Sequence, residues 1–390
     1  MEFSTALILI AILASTVTMT LAAAIRSVLM PKGPVKPNSY IVALKSGTDM
    51  EDHIEGIARI SARSPGSEFS ITQRYRILNG YAAHATGASL TRILNCPDVD
   101  YVQADGIAFF DYGLRQVNHE DADVSVEMGD DPAGLEGRAG SGPGDGVDIY
   151  GVDSGVFYRH LYFGGRAALI AFMDGSLRDV SGHGTALAGV AMGSVFGKAT
   201  SALMFGVKVT NDENIAEISN VIAGLDFVVE RFRKRGRPAI ALVPVIGESD
   251  EGLNNAVRGA IALGLHVVVG AGNDGMNAEG FSPASVGEAI TVGAINNCYE
   301  LTEWSNWGRD VDILAPGVDI VSTGIGGETA VSVKSGTSMS AAQVAGELAV
   351  ALGQYGQMTP AALKAALLRR AIPMAKVQRR DTTSLVAAKI

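Results

Sequence analysis

Short apolar runs and amphipathic helical patterns alternate through the second half of the chain, and this alternation restricts the fold more than any other feature. Strands that are joined through helices run parallel in one sheet, with helices on both faces. Ligands of such sheets bind at the carboxyl ends of the strands. The sequence therefore predicts an α/β fold with a mostly parallel sheet. The expected strands are 147–152, 202–209, 239–246, 265–270 and 289–294, and the expected helices include 214–234 and 252–263.

A smaller α+β unit precedes this region, from residue 40 to about residue 110. The residues after 110 are rich in Gly, Asp and Glu up to residue 146, which indicates a linker or surface segment with a domain boundary near its start. In the unit itself, periodicity predicts strands at 40–44 and 99–105, helices at 50–62 and 89–94, and a strand or hairpin at 71–85.

The N-terminus carries an apolar run, residues 5–24, that ends in Ala22-Ala23-Ala24. Small residues at this point suit a signal peptidase, so we expect a signal peptide at 1–24 and a secreted, extracellular protein. Glu2 stands where a basic residue is usual, and the run is nearly long enough to span a bilayer, which leaves an uncleaved membrane anchor as the alternative. Thr and Ser at 15–20 dilute the hydrophobicity and favour cleavage.

Composition excludes several classes of protein. The 41 acidic and 31 basic side chains give a formal net charge of -10 with no basic stripe, so a nucleic-acid partner is not expected. The two cysteines, Cys96 and Cys298, are far apart and match no metal-ligand spacing, which argues against a disulfide framework and a zinc site. We expect Cys298 to be a small buried hydrophobic residue.

One stretch, Val333 to Tyr355, begins with small residues and glycine and continues as an alanine-rich run without proline. The first part suits a tight turn and the second a helix, so Ser338 is predicted at a helix N-terminus. Unpaired backbone N–H groups and the helix dipole would stabilise an oxyanion formed next to its Oγ. An isolated serine before a helix usually only caps it, so a nucleophilic role needs support from other residues.

Three polar residues stand near the predicted strand ends. Asp153 directly follows the first strand, His183 lies between two glycines at the start of a helical run, and Asn273 follows a Val-rich strand. Asp153 could orient an imidazole, and the amide of Asn273 could donate to an oxyanion. Taken alone, each has a simpler interpretation as a turn or loop residue. A carboxylate, an imidazole, an amide and a serine in this order form a more specific pattern.

These motifs together resemble those of subtilisin-like serine proteases of the proteinase K type, whose Asp, His, Ser order along the chain they share. Tyr40-Ile41-Val42 and the segment 101–105 are similar to the two ends of the inhibitor-like propeptide of that family. The motifs that carry the resemblance are Val152-Asp153-Ser154-Gly155, Gly182-His183-Gly184-Thr185, Ala271-Gly272-Asn273 and Gly336-Thr337-Ser338-Met339-Ser340.

The resemblance implies a serine endopeptidase, made as a self-processing zymogen, that cuts peptide bonds through an acyl-enzyme. Asp153, His183 and Ser338 would be the catalytic residues, and Asn273 would form the oxyanion hole with the Ser338 backbone N–H. It also implies three segments: a signal peptide at 1–24, a propeptide at 25–110 with an inhibitor and chaperone-like domain at about 40–107, and a subtilisin-like peptidase domain at 111–390. Cleavage is expected between Ala108 and Tyr112.

Partners and cofactors follow from the same resemblance. We expect protein or peptide substrates, the chain's own propeptide as an intramolecular inhibitor, a monomer, and no stable membrane association. No metal or cofactor is expected for catalysis. Family members often carry structural calcium, but the sequence contains no ligand cluster that can be assigned to it.

Three positions depart from the family pattern. Ala186 replaces a second histidine, Ala342-Gln343 replaces a Pro-His pair, and Pro244 to Glu248 replaces a Ser-Leu-Gly-Gly-like wall of the substrate cleft. The changed wall motivates one alternative, a secreted and catalytically weak or inactive pseudoprotease that binds other molecules. The unusual signal region motivates another, a membrane-anchored interaction protein.

Overall fold

The computed structural model describes residues 26–110, 141–173 and 176–388. The predicted signal peptide, the expected N-terminus of the mature enzyme and most of the linker lie outside these ranges. Within them, no helix is both long enough and apolar enough to cross a membrane.

Seven α-helices and eighteen strands are present in the described ranges. The helices are α1 (Met50–Arg63), α2 (Gly87–Asn95), α3 (His183–Met192), α4 (Ile218–Arg235), α5 (Glu251–Ala262), α6 (Thr337–Tyr355) and α7 (Pro360–Arg370). The strands are β1 (Val35–Leu44), β2 (Phe69–Tyr75), β3 (Gly80–Ala85), β4 (Val99–Phe110), β5 (Asp148–Asp153), β6 (Ala167–Phe172), β7 (Leu203–Lys208), β8 (Ile215–Glu217), β9 (Ala239–Leu242), β10 (Val245–Glu248), β11 (His266–Gly270), β12 (Phe281–Ser282), β13 (Ile290–Ile295), β14 (Ile313–Pro316), β15 (Ile320–Thr323), β16 (Val331–Lys334), β17 (Ile372–Pro373) and β18 (Leu385–Val386).

The larger sheet has the strand order β17-β18-β14-β13-β11-β9-β5-β7-β6. From β6 to β18 its pairs are parallel, and only β17 is antiparallel. Successive residues of β5 face opposite sides: Ile149 joins a core that contains Leu348 of α6, whereas Tyr150 joins a core that contains Leu225 of α4. The prediction of a mostly parallel sheet covered on both faces is confirmed.

The N-terminal unit is built on antiparallel β1 to β4, in the order β4-β1-β3-β2. One face packs under α1 and α2 around residues such as Ile57 and Ile93. The other face contributes Ile41 and Tyr75 to the core shared with α4, and the Tyr75 hydroxyl donates to the Ser219 carbonyl at 3.0 Å. The predicted α+β composition of this unit is therefore confirmed, and its inner face is packed on the larger sheet's helices.

Four element boundaries differ from the prediction by more than two residues, and one of them is the start of β1, at Val35 and not at residue 40. The expected strand 239–246 is interrupted at Pro244, which has no N–H to offer a ladder, so β9 ends at Leu242 and β10 starts at Val245. The expected helix 214–234 begins only at Ile218, because residues 215–217 form β8. The expected strand 99–105 continues to residue 110, because β8 and β10 pair with its end.

The expectation that Cys298 is buried was wrong. Cys298 is exposed and lies in the turn after β13, where its backbone N–H donates to the Asn296 side chain at 2.9 Å. Turn residues outside the sheet contribute little to the core, so the apolar character of a thiol did not decide its position.

Candidate active site

The structure brings Asp153, His183 and Ser338 together at the carboxyl end of the parallel sheet. Asp153 ends β5, His183 begins α3, and Ser338 is the second residue of α6. His183 Nδ1 lies 3.0 Å from each carboxylate oxygen of Asp153, and His183 Nε2 lies 3.0 Å from Ser338 Oγ. The three side chains are at most 3 % exposed. They form one continuous hydrogen-bonded chain that is shielded from water.

Two glycines allow α3 to approach β5 closely enough for His183 to reach Asp153. Gly182 precedes the helix with a φ of 69°, a left-handed conformation that glycine adopts without strain. A Cβ atom on Gly184 would collide with the carbonyl oxygen of Gly155 and would lie 3.1 Å from Asp153 Oδ1. The two glycines that flank His183 therefore place its ring against the carboxylate.

Hydrogen bonds fix the orientation of Asp153 and of the ring. Asp153 Oδ1 accepts from the Ser154 backbone N–H at 2.6 Å, and the Ser154 hydroxyl lies 3.0 Å from the same oxygen. A carboxylate can only accept, so Nδ1 of His183 carries the hydrogen on this side. Nε2 then directs its lone pair at Ser338 Oγ and can accept a proton from it.

A second buried carboxylate, Asp179, holds the loop before His183. It accepts from the Gly182 N–H at 2.8 Å and from the Thr185 N–H and hydroxyl at 2.8 and 2.6 Å. The Ser154 hydroxyl also lies 2.8 Å from Asp179, which links this carboxylate to the surroundings of Asp153. Asp179 thus ties both ends of the loop that carries the imidazole.

Asn273 stands beside the serine with one half of its amide unused. Its Oδ1 accepts from the Thr337 N–H at 3.0 Å. Its Nδ2 is buried and has no hydrogen-bond partner among the described residues. Buried polar groups nearly always have partners, so this donor is available for an oxygen that arrives with a ligand. The Ser338 N–H, in the first turn of α6, likewise has no acceptor within its helix.

Lys334 is a charged residue near this site that the sequence analysis did not identify. It ends β16, shortly before Ser338, and is 6 % exposed. Burial lowers the pKa of its ammonium group, and the nearby carboxylates of Asp179 and Asp153 oppose that shift. Only the folded structure shows that Lys334 lies near Asp179 and Asp153, because the two acidic residues are more than 150 positions away in sequence.

The end of β4 lies between β8 and β10, two strands that follow β7 and β9 in the chain. It is the middle strand of an antiparallel set, in which Ala108 is opposite Ala216 of β8 and Phe110 is opposite Val245 of β10. Ile246 of β10 lies beside Gly272, since a Cβ on that glycine would be 3.2 Å from its side chain. The backbone of the N-terminal unit is therefore held in extended form beside the loop that carries Asn273.

Two buried carboxylates join the N-terminal unit to the larger sheet's helices. Asp105 of β4 accepts from the Ser219 N–H in the first turn of α4 at 2.9 Å. Asp250 caps α5 by accepting from the Leu253 N–H at 2.8 Å, and it also accepts from Gln103 Nε2 at 2.7 Å. Burial raises the pKa of Asp105 and raises that of Asp250 to about 6.

Among the described residues, one group of three His, Cys, Asp or Glu side chains is close enough to hold a metal ion. It consists of His53, Cys96 and Asp98 and belongs to the N-terminal unit. The residues around Ser338 contribute none of its members.

Comparisons with known proteins agree with the geometry. The subtilase family model matches residues 144–387, and the peptidase inhibitor I9 model matches residues 39–110. The chain is 33% identical over 343 residues to subtilisin-like protease 1 of Pseudogymnoascus destructans, covering 84% of this chain and 83% of the relative. It is 33% identical over 338 residues to proteinase R of Parengyodontium album, covering 84% and 82% of the two chains.

A solved structure of a subtilisin-like proteinase also matches the fold of this chain. The crystal structure of a cold adapted subtilisin-like serine proteinase matches with a TM-score of 0.59 at 32% identity, and the match covers 64% of this chain and 91% of that chain. Family models, relatives and fold agree, and the motifs that suggested the resemblance lie inside the matched ranges. The chain belongs to the subtilase family and is a serine endopeptidase with an N-terminal inhibitor I9 domain.

Proposed function

We propose that Ser338 is the nucleophile, His183 the general base and Asp153 the group that orients His183. The observation that carries this assignment is the unbroken chain of 3.0 Å contacts from Asp153 through His183 to Ser338 Oγ. As Ser338 Oγ attacks the scissile carbonyl carbon, its proton passes to Nε2, and Asp153 stabilises the imidazolium that forms.

Asn273 and the Ser338 backbone N–H then stabilise the oxyanion of the tetrahedral intermediate. The unpaired Nδ2 of Asn273 supports this role, because a donor fixed in advance needs no reorganisation when the negative charge appears. His183 returns the proton to the leaving amine as the C–N bond breaks. Water, activated by the same base, then hydrolyses the acyl-enzyme and releases Ser338.

The substrate is a protein or peptide chain in extended form. The positions of β8 and β10 support this, because each pairs with the end of β4 through backbone hydrogen bonds that any peptide can form. Catalysis of this kind uses only side chains and backbone groups, so the proposal includes no cofactor and no catalytic metal.

Residues 25–110 act as a propeptide that inhibits residues 111–390 until it is cut. The backbone ladder of β4 with β8 and β10 supports this proposal, since the strand fills the space between β8 and β10 in which a substrate strand would pair. The chain would cut itself between Ala108 and Tyr112. The apolar run 5–24 supports secretion after removal of residues 1–24. The comparisons do not favour the alternative of an inactive pseudoprotease.

N-terminal mapping of the purified full chain tests self-processing. The unchanged chain should begin at one of residues 109–112 after maturation, whereas Ser338→Ala should keep residues 25–110 attached. Incubating Ser338→Ala with a trace of the unchanged protein separates cleavage within one molecule from cleavage between molecules. A Ser338→Ala chain that matures alone at the same bond, in a host without other proteases, would overturn the proposal.

A further inference from the structure

A group of three potential metal ligands lies on the outer side of the N-terminal unit, away from its face on α4. His53 is in the first turn of α1, Cys96 directly follows α2, and Asp98 stands two residues later, before β4. Cys96 Sγ lies 3.6 Å from His53 Nδ1 and 3.6 Å from Asp98 Oδ2. The three ligand atoms all lie within 4.8 Å of one another.

These distances match the edges of a tetrahedral zinc site. Zinc binds sulfur at about 2.3 Å and nitrogen or oxygen at about 2.0–2.2 Å, so the sulfur-to-nitrogen and sulfur-to-oxygen edges of a tetrahedron are about 3.6 Å. Both edges that include Cys96 already have this length. The third edge, from His53 Nδ1 to the Asp98 oxygen, is at most 4.8 Å, and Asp98 is exposed, so its side chain can rotate to shorten it.

The histidine ring is held in the orientation that a ligand requires. His53 Nε2 lies 3.1 Å from the hydroxyl of Tyr81, which is fully buried in the core of the unit. Metal-bound histidines usually donate their second N–H to such a partner, which fixes the ring and directs the other nitrogen at the metal.

A cavity gives access to the group. It has a volume of about 590 Å³, and its lining includes His53, Cys96 and Asp98 together with Asp52 and Arg92. The three side chains supply three ligands, and this open side leaves room for a water molecule as the fourth. Cys96 is 3 % exposed and His53 is 8 % exposed, so two of the ligands are already shielded from competing water.

We propose that the N-terminal unit binds a zinc-type divalent cation through His53 Nδ1, the Cys96 thiolate and an Asp98 carboxylate oxygen. Binding releases the thiol proton to solvent and links α1 to the turn between α2 and β4. The spacing of the two cysteines gave no sign of this site, because the histidine stands 43 residues before Cys96. The cation would stabilise the folded unit, since the ligands are not assembled in the unfolded chain.

Cobalt(II) titration of the full chain tests the site. We would use Ser338→Ala, which keeps the N-terminal unit attached, and add Cys298→Ser, so that Cys96 is the only thiol. One equivalent of cobalt should produce the strong visible absorption of tetrahedral cobalt and a thiolate-to-cobalt charge-transfer band. Zinc should displace the cobalt and abolish both signals.

Four further variants make the assignment specific. Cys96→Ser should remove the charge-transfer band, Asp98→Asn should weaken binding at least tenfold, and Tyr81→Phe should weaken it about 10- to 100-fold. His84→Gln is the matched control, because His84 belongs to the same unit but pairs with Glu68 on the surface, and it should bind as the parent does.

Circular dichroism identifies any variant that fails to fold, and exposed Asp98 is the position least able to cause such failure. A folded parent without the charge-transfer band would overturn the proposal, as would equal binding by parent and Asp98→Asn. The readout needs neither catalysis nor cleavage. A failure of the proposed protease function would therefore leave this result unaffected, and the reverse also holds.

Discussion

At the scale of single residues, the side-chain amide of Asn273 has two atoms with different roles, and substitution can separate these roles. Its Oδ1 accepts from the Thr337 N–H, and its Nδ2 has no partner in the part of the chain that the structure describes. Asn273→Ala removes both groups, and Asn273→Asp keeps the acceptor but removes the donor. We expect either change to reduce kcat about 10²- to 10³-fold with a much smaller effect on KM, because the donor acts on charge that develops in the transition state.

Steady-state kinetics on a chromogenic peptide would measure this effect. Asn277→Ala, a change in the next turn of the same loop, is the control and should retain near-parental kcat. If Asn273→Asp retained full kcat, the free Nδ2 would not be an oxyanion donor, and the loss in Asn273→Ala would come from the missing contact with Thr337.

The sequence predicted the four residues of the candidate site, and the structure places three of them in one hydrogen-bonded chain with Asn273 beside it. Asp153, His183 and Asn273 stand next to a glycine or a strand end, and Ser338 stands at the start of an alanine-rich helix, which are local signals. Lys334 and Asp250 gave no such signal, since their surroundings come from segments far away in sequence. Cys298 was misjudged because the exposure of a turn residue depends on how the turn leaves the sheet.

At the scale of elements, the contact between α3 and β5 depends on Gly184. A methyl group at this position would collide with the Gly155 carbonyl and press on Asp153. Gly184→Ala should displace His183 from Asp153 and reduce kcat/KM at least 10²-fold, because misplacing a reacting group by about 1 Å has an effect of this size. Gly280→Ala, where a Cβ would meet open space, is the control and should leave kcat/KM unchanged.

Lys364 anchors the helix α7. Its ammonium group contacts three oxygens in the loops that lead into β13 and β14. Its Nζ lies 2.8 Å from the Gly287 carbonyl oxygen, 2.7 Å from that of Ala289 and 2.7 Å from Asp312. Lys364→Met would leave the largely buried Asp312 carboxylate without its cation. We expect a loss of about 3 kcal/mol in the free energy of unfolding, as for other buried pairs that lose one partner.

Urea unfolding in the Ser338→Ala background, which prevents self-digestion, would measure this loss. Lys376→Met is the matched control, since Lys376 forms an exposed pair with Glu300 that water and salt screen, so its loss should change stability little. Equal effects of the two substitutions would show that Lys364 is only another surface charge.

Element prediction succeeded where periodicity and tertiary pairing agree. The β5 strand and the α6 helix were expected within one or two residues of their observed bounds. The strand β8 was assigned to a helix because its three residues become a strand only by pairing with β4, 106 or more positions away in sequence. The extension of β4 to residue 110 was missed for the same reason.

At the scale of the whole molecule, Asp105 and Asp250 make the attachment of the N-terminal unit sensitive to pH. Burial between the N-terminal unit and the helices of the larger sheet raises the pKa of both carboxyls. The pKa of Asp250 is raised to about 6. Separation returns Asp250 to water and towards its ordinary pKa. The attached state therefore prefers the protonated acids, so attachment is strongest at low pH and weakens as pH rises from about 4 to about 6.

The rate at which the cut N-terminal unit leaves should therefore be higher at neutral pH than at about pH 4.5. Size-exclusion chromatography of the processed complex at a series of pH values would measure it. Asp250→Asn keeps a capping side chain for α5 but cannot ionise, so it should flatten the dependence. Release that slows as pH rises would contradict the assigned direction.

The sequence predicted both halves of the molecule, but it did not predict the surface between them. Tyr75, Gln103 and Asp105 contact α4 and α5 through side chains whose partners are more than 100 residues away. Patterns within one segment show which face is apolar. They do not show which other segment that face will cover.

In the proposed mechanism, Ser338 is a nucleophile that His183 activates. Labelling with a serine-directed fluorophosphonate tests it most directly, with the modified residue located by mass spectrometry after the N-terminal unit has been released. We expect one label on Ser338, and much slower labelling in a His183→Ala chain that has been freed of its N-terminal unit by an added protease. A folded, processed chain with Ser338 unlabelled, or labelled at the same rate without His183, would contradict the account.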